Sequence, residues 1–233
     1  MGACDLVLVH APNFHKDAML DIHIRTTTRY DYSYIESAAI QIGNDIFEVD
    51  SFGQHFLNGV ADAKMPATIF GFPVTRTQKD LKSIIYEVSI TGGEKIILNV
   101  FKDWVSVSIK NVNSHHFIGS YGMMGDMETG LMFARDGNTV LTDPSEFGNE
   151  WQVRDDEAML FQFVREPQYP NICQLPNPAS AKNRRLGGIE VSYDDAKEAC
   201  ARSHFDNASL EACIHDVIAV GDLDLAYANA GAF

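Results

Sequence analysis

Residues 83–109 read S-I-I-Y-E-V-S-I-T-G-G-E-K-I-I-L-N-V-F-K-D-W-V-S-V-S-I. Ile84, Tyr86, Val88 and Ile90 recur at every second position, Gly92-Gly93 turns the chain, and Ile96, Leu98 and Val100 return with the same period. Lys102-Asp103 makes a second turn before a third run, Trp104 to Ile109. A period of two puts alternate side chains on opposite faces of a strand, so this stretch predicts three antiparallel strands joined by tight turns.

Upstream the same pattern repeats. Asp5 to Ala11 reads as a buried strand ended by Pro12. From Leu20 to Thr28, Leu20, Ile22 and Ile24 face one way and Asp21, His23 and Arg25 the other, which predicts a sheet with one wet face. Tyr34–Ile42 and Ile46–Val49 flank a Gly43-Asn44-Asp45 turn, and Phe56-Leu57 meets Val60 across Asn58-Gly59, a strong hairpin signal. Ile69–Val74 reads as one further strand, placed at an edge by Pro73. Downstream, Leu131–Ala134 and Thr139–Thr142 read as two short strands joined by Asp136-Gly137. Short strands at this spacing predict a mainly β fold, an antiparallel β-sandwich.

The end of the chain differs. Pro167, Pro170, Pro176 and Pro178, followed by Arg184-Arg185, read as a linker. Ser192 with Asp195 caps a helix whose buried side is Ala196, Ala199 and Cys200. Leu210, Cys213, Ile214, Val217 and Ile218 mark a second helix, ended by Gly221. The last dozen residues carry no structural signal. The expected organisation is a sandwich over 1–176, a linker over 177–188 and a small C-terminal α-helical appendix over 189–233.

Lys and Arg number 18 against 32 Asp and Glu, a net charge of −14 over 233 residues, which disfavours nucleic acid and anionic lipid as partners. No run of eighteen apolar residues is present, so no transmembrane helix is expected. The opening M-G-A-C-D-L has Leu6 where a myristoylation motif needs Ser or Thr, and Asp5 interrupts any signal-peptide core. Cys4, Cys173, Cys200 and Cys213 form an even set without C-x-x-C spacing. Paired as Cys4–Cys173 and Cys200–Cys213 they would staple each section once, the longer loop contributing about 4–5 kcal/mol in the chain-entropy model. The alternative is four buried thiols in a cytosolic protein.

Between the meander and the linker, residues 119–137 hold five glycines together with Asp126, Glu128 and Asp136. Glycine permits positive φ, and carboxylates on a tight loop are the hard oxygen ligands that calcium takes. The segment closes on Phe147-Gly148-Asn149-Glu150-Trp151. With Gly2-Ala3-Cys4 and Val7-Leu8-Val9 at the start, and Tyr121-Gly122-Met123-Met124-Gly125-Asp126 in the loop, these motifs resemble the von Willebrand factor type D domain. The match covers roughly residues 2 to 176, and F-G-N-x-W is its most specific part. Residues 189–233 resemble a reduced form of the cysteine-rich helical module that often follows that domain.

The resemblance implies a secreted, non-enzymatic module with bound Ca2+, of adhesive, matrix, mucin-like or lipid-carrying proteins, whose partners are other extracellular proteins or glycans. Asp126 takes the place of the loop's amide ligand, Glu128 lies where a second oxygen ligand is usual, and Asp136 is a further acidic candidate. Cys173 falls where the partner of the opening cysteine is expected. Met124 replaces a family cysteine, and no C-x-x-C precedes the loop, so disulfide-linked multimers are not expected. The family's opening G-D-P-H strand, whose Asp helps ligate calcium, lies before the start of this chain, which reads as a fragment lacking its signal peptide.

Other motifs carry less. His115-His116, read as strand neighbours, point apart and cannot share a metal. No G-x-S-x-G, G-x-G-x-x-G or Walker loop is present. Asp222-x-Asp224 falls short of an EF-hand. Asn207-Ala208-Ser209 is a glycosylation sequon that coincides with a helix start, where Asn or Ser is wanted anyway. Alongside the adhesion or matrix reading stand a lipid- or surface-associated carrier on the same fold, which needs an apolar cavity, and a metal-dependent hydrolase, which needs three ligands in a cleft.

Overall fold

A computed structural model of the chain describes residues 3–15, 18–29, 32–81, 83–164, 191–202 and 207–229. The chain divides into two units, Met1–Arg29 with Ser33–Pro176 and Tyr30–Tyr32 with Asn177–Phe233. The expected linker, 177–188, lies outside the described residues.

In the first unit the strands come in sequence: β1 (Asp5–His15), β2 (Ala18–Arg29), β3 (Tyr32–Ile42), β4 (Asp45–Asp50), β5 (His55–Leu57) and β6 (Val60–Ala61) form one sheet in that spatial order. Next, β7 (Ala67–Ile69), β8 (Phe72–Gln78), β9 (Ser83–Ser89), β10 (Lys95–Phe101) and β11 (Trp104–Lys110) form the other, ordered β11-β10-β9-β8-β7. Among the described residues the strands pair antiparallel with their neighbours in sequence. Turn chemistry explains this economy: Asn58 and Gly59 both take positive φ, 51° and 80°, as a two-residue hairpin requires.

The sandwich core lies between the sheets. Leu20, Ile22 and Ile24 of β2, Ile40 and Ile42 of β3, and Phe47 and Val49 of β4 meet Val74, Tyr86, Val88, Ile96, Leu98 and Val100 of the other sheet. In β1 the pairing slips between Val7 and Val9, and this bulge lets Leu6 and Val9 face the same core despite their odd spacing.

Several strand expectations change. Pro12 does not end β1, which runs on to His15 past a second irregularity between Ala11 and His15; bulges are where a strand tolerates proline. Ile69–Val74 is not one strand: Phe70 and Gly71 turn with φ of 50° and 80°, separating β7 from β8. Pro73 pairs with Thr68 of the three-residue edge strand β7, and the β8–β9 ladder begins only at Val74. Leu131–Ala134 and Thr139–Thr142 make a single bridge, Phe133 to Val140, rather than strands. His115 and His116 lie in a 3-10 turn, Ser114–Phe117, rather than on a strand. The F-G-N-E segment is helical, α1 (Pro144–Glu150).

The predicted wet face of β2 is buried. Asp21 is 9%, His23 4% and Arg25 7% exposed, because residues 147–163 cross the outer face of this sheet. Phe147, Trp151 and Val153 pack on Val7 of β1, and Leu160 and Phe161 pack on Ala39 of β3.

The second unit contains α2 (Tyr193–Ala201), α3 (Asn207–Val220) and α4 (Asp224–Asn229). Ser192 caps α2, its side chain accepting from Asp195 N, and Ala196, Ala199 and Cys200 are the buried positions. Gly221, at φ 71°, ends α3 with its N–H on Val217 O. The final helix corrects the blank reading of the last dozen residues: Asp222 turns the chain into it by accepting from Asp224 N, and Leu225 and Ala226 are buried.

Candidate functional site: the glycine loop and the strap behind it

The glycine loop closes the open edge of β1. Tyr121 exchanges both backbone hydrogen bonds with His10, Met123 N donates to Val7 O (2.9 Å) and Met124 N to Leu8 O (3.0 Å). Just past the helix α1, Val153 N donates to Asp5 O and Val7 N to Trp151 O, each at 2.8 Å. An edge strand's unpaired donors and acceptors are thereby satisfied within the chain. Gly122 is required by this approach: a Cβ there would stand 2.7 Å from Leu8 O, at a φ of 123°.

Trp151 anchors the return. It is 1% exposed, donates from Nε1 to Phe133 O (3.2 Å), stacks on Tyr121 at 5.2 Å and lies under the Arg135 guanidinium at 4.7 Å. Arg135 also donates to Glu150 O (2.8 Å) and Gln152 O (2.9 Å), and pairs with Glu157. Tyr121 stacks in turn on His10, at 4.5 Å.

The predicted ligands Asp126 and Asp136 each close a separate turn. Asp126 Oδ1 accepts from Glu128 N (3.1 Å), Thr129 N (2.6 Å) and Thr129 Oγ1 (2.8 Å). Its slight burial works to raise the pKa, but the hydrogen bonds from Thr129 and Glu128 outweigh that and hold the carboxyl below its ordinary value. Asp136 accepts from Asn138 N and Thr139 N on Oδ1 and from Thr139 Oγ1 on Oδ2, and the Thr139 bonds lower its pKa as well. Glu128 is exposed. Asp126 and Glu128 therefore share one turn, with Asp126 Oδ2 taking no hydrogen bond from the described residues, while both oxygens of Asp136 are engaged in another turn. Among the described residues, no three His, Cys, Asp or Glu side chains form a group that could hold a metal ion. The loop therefore brings two of the three expected ligands, Asp126 and Glu128, onto one turn and leaves Asp136 in another.

Cys200 and Cys213 are joined, with Cα atoms 6.0 Å apart, linking α2 to α3. Cys4 is disulfide-bonded and 1% exposed. Its expected partner, Cys173, lies outside the described residues. The sequon residue Asn207 begins α3.

Sequence reasoning missed a polar layer beneath the strap. His10 Nδ1 lies 2.5 Å from Asp21 Oδ1. Arg25 forks onto Asp5 (2.7 and 2.8 Å), donates to Phe163 O and packs over the Phe161 ring at 4.4 Å. Glu48 of β4 accepts from Gln162 N at 2.6 Å, and burial raises its pKa. His23 has its Nδ1 buried without a hydrogen bond among the described residues, and burial pushes its pKa down to about 4 against the opposing pull of Asp21, Glu157 and Asp5. One signal was available. Asp21, His23 and Arg25 share a face of β2, and their register partners Asp5 and His10 carry complementary chemistry. In comparisons with known proteins, no family model and no curated protein matches the chain.

Proposed function

We propose that the chain is a non-enzymatic extracellular module of the von Willebrand factor type D kind, serving adhesion or matrix assembly, with calcium on the glycine loop. The observation that carries this reading is the use made of the motifs behind the resemblance. Gly122 lies against β1, and Phe147 and Trp151 bury the returning chain, so the loop and F-G-N-E-W act together as a closure of the sandwich. The Cys200–Cys213 bond supports an oxidising compartment. The lipid-carrier alternative draws no support from the space between the sheets, which large side chains such as Phe47, Tyr86 and Leu98 fill. In this proposal Asp126 and Glu128 contribute the ion's side-chain oxygens.

Two experiments test the reading. Non-reducing peptide mapping of the native protein is expected to find Cys4–Cys173 and Cys200–Cys213; free thiols at all four positions overturn the extracellular assignment. Calcium at a hundred times its dissociation constant stabilises a folded protein by about 2.7 kcal/mol. A melting series in calcium and in chelator should therefore show a shift in the wild type that is lost in Asp126→Ala. An unchanged wild type removes the ion, and an equal shift in the variant removes Asp126.

A further inference from the structure

A cavity of about 190 Å³ opens between the strap and the outer face of β4 and β5. Ile46, Phe56, Met159 and Phe161 supply the apolar part of its wall, and Glu48, Asn58 and Gln162 contribute polar side chains to the rest. Glu48 is 4% exposed. One of its oxygens, Oε2, accepts from Gln162 N; the other takes no hydrogen bond from the described residues, yet it is not sealed from solvent. Arg25, the cation whose field reaches Glu48, is committed to Asp5 and to Phe163 O. The result is a buried carboxylate whose one open acceptor faces a hole of mixed polar and apolar lining, where a cationic donor can take the place of water.

We propose that this cavity binds an alkylammonium group the size of a lysine side chain, with Glu48 as its counter-charge. Size and chemistry both select it. Pockets for whole cofactors or drug-sized ligands run to about 300–1,000 Å³, so this one takes a single side-chain-sized group. The apolar walls suit a hydrocarbon stem that carries its charge at the tip. A compact ammonium needs only the oxygen left open, whereas the bidentate pairing a guanidinium prefers would have to share Oε2 with Gln162 N. Burial, which raises the Glu48 pKa, is offset when a cation binds, so binding weakens as acid protonates the carboxylate.

The test titrates the purified chain with n-butylamine, Nα-acetyl-lysine N-methylamide and the uncharged Nα-acetyl-norleucine N-methylamide, read by NMR shifts of the Gly59 and Gln162 amides. Both amines are expected to bind and the norleucine compound not to. Binding of butylamine alone also supports the site and assigns it to free amines, whereas binding of the lysine amide assigns it to protein-borne lysine. Glu48→Gln, which keeps an acceptor for Gln162 N, should weaken binding about tenfold or more, the loss of one charge-assisted hydrogen bond. Met159→Trp should abolish binding by filling the hole from the strap side, and it keeps the proposal testable if Glu48→Gln does not fold. The proposal is overturned if the norleucine compound binds as well as the lysine amide, if Glu48→Gln binds like the wild type, if filling the cavity changes nothing, or if neither amine binds.

Discussion

Gly122 and His23 show two ways in which a single residue is held to its identity here. Any side chain at Gly122 meets Leu8 O at 2.7 Å, a backbone atom that cannot swing away, at a φ that L-residues rarely adopt. Gly122→Ala is expected to lower unfolding free energy by at least about 1–3 kcal/mol, the usual cost of such a backbone conformation, as read by urea titration. His23 is buried neutral. Its folded pKa of about 4 lies below the ordinary 6.5, so between those values the unfolded chain binds the extra proton. The stability this residue confers is therefore complete above pH 6.5 and is lost as pH falls toward 4. Over that window the loss is on the order of 3 kcal/mol. His23→Leu should remove it, so the wild-type-minus-variant difference in unfolding free energy should slope across this range; parallel curves would mean that His23 is not held neutral.

Among the elements, the strap of residues 147–163 does the most to distinguish this sandwich from a plain pair of sheets. It satisfies the β1 edge, covers the β2 polar layer and places Gln162 on Glu48. Its firmest point is Trp151, buried against Val7, Tyr121 and Arg135. Truncating a buried Trp to Ala typically costs about 3–5 kcal/mol, and Trp151→Ala should lower the thermal midpoint accordingly. Trp151→Phe should recover most of the packing but not the hydrogen bond to Phe133 O. Because the strap lies outside the main core, amide exchange in Trp151→Ala should rise at Met123, Met124 and Val153, whose bonds close β1, well before it rises in β9 and β10.

At the level of the whole molecule the two units have different sources of stability. The sandwich draws on a continuous apolar core between two sheets, whereas the helical unit, among its described residues, buries a smaller set including Ala196, Ile214, Val217 and Leu225 and carries a covalent link. Closing a loop of thirteen residues contributes about 3 kcal/mol in the chain-entropy model. The double variant Cys200→Ala, Cys213→Ala should therefore open the helices to proteolysis while leaving the strands protected. Loss of protection in both units at once would show that they unfold together.

What the sequence by itself determined is whatever depends on neighbours along the chain. Alternation at Ile84, Tyr86, Val88 and Ile90 made a strand legible because the pleat has a period of two. Asn58-Gly59 made a hairpin legible because both residues tolerate positive φ, and Ser192 marked a helix start because its hydroxyl reaches Asp195 N. The acids of the glycine loop were legible as acids on a turn, but not as acceptors already engaged by Thr129 and Thr139. Tertiary structure decided what alternation cannot express, namely what covers each face. The pattern in β2 separated Asp21, His23 and Arg25 from Leu20, Ile22 and Ile24, yet only a strap from more than a hundred residues downstream turned the polar face into a buried layer. The same long-range packing left Glu48 facing a cavity, and no local spacing in β4 could announce it, because the other wall comes from residues 159–162.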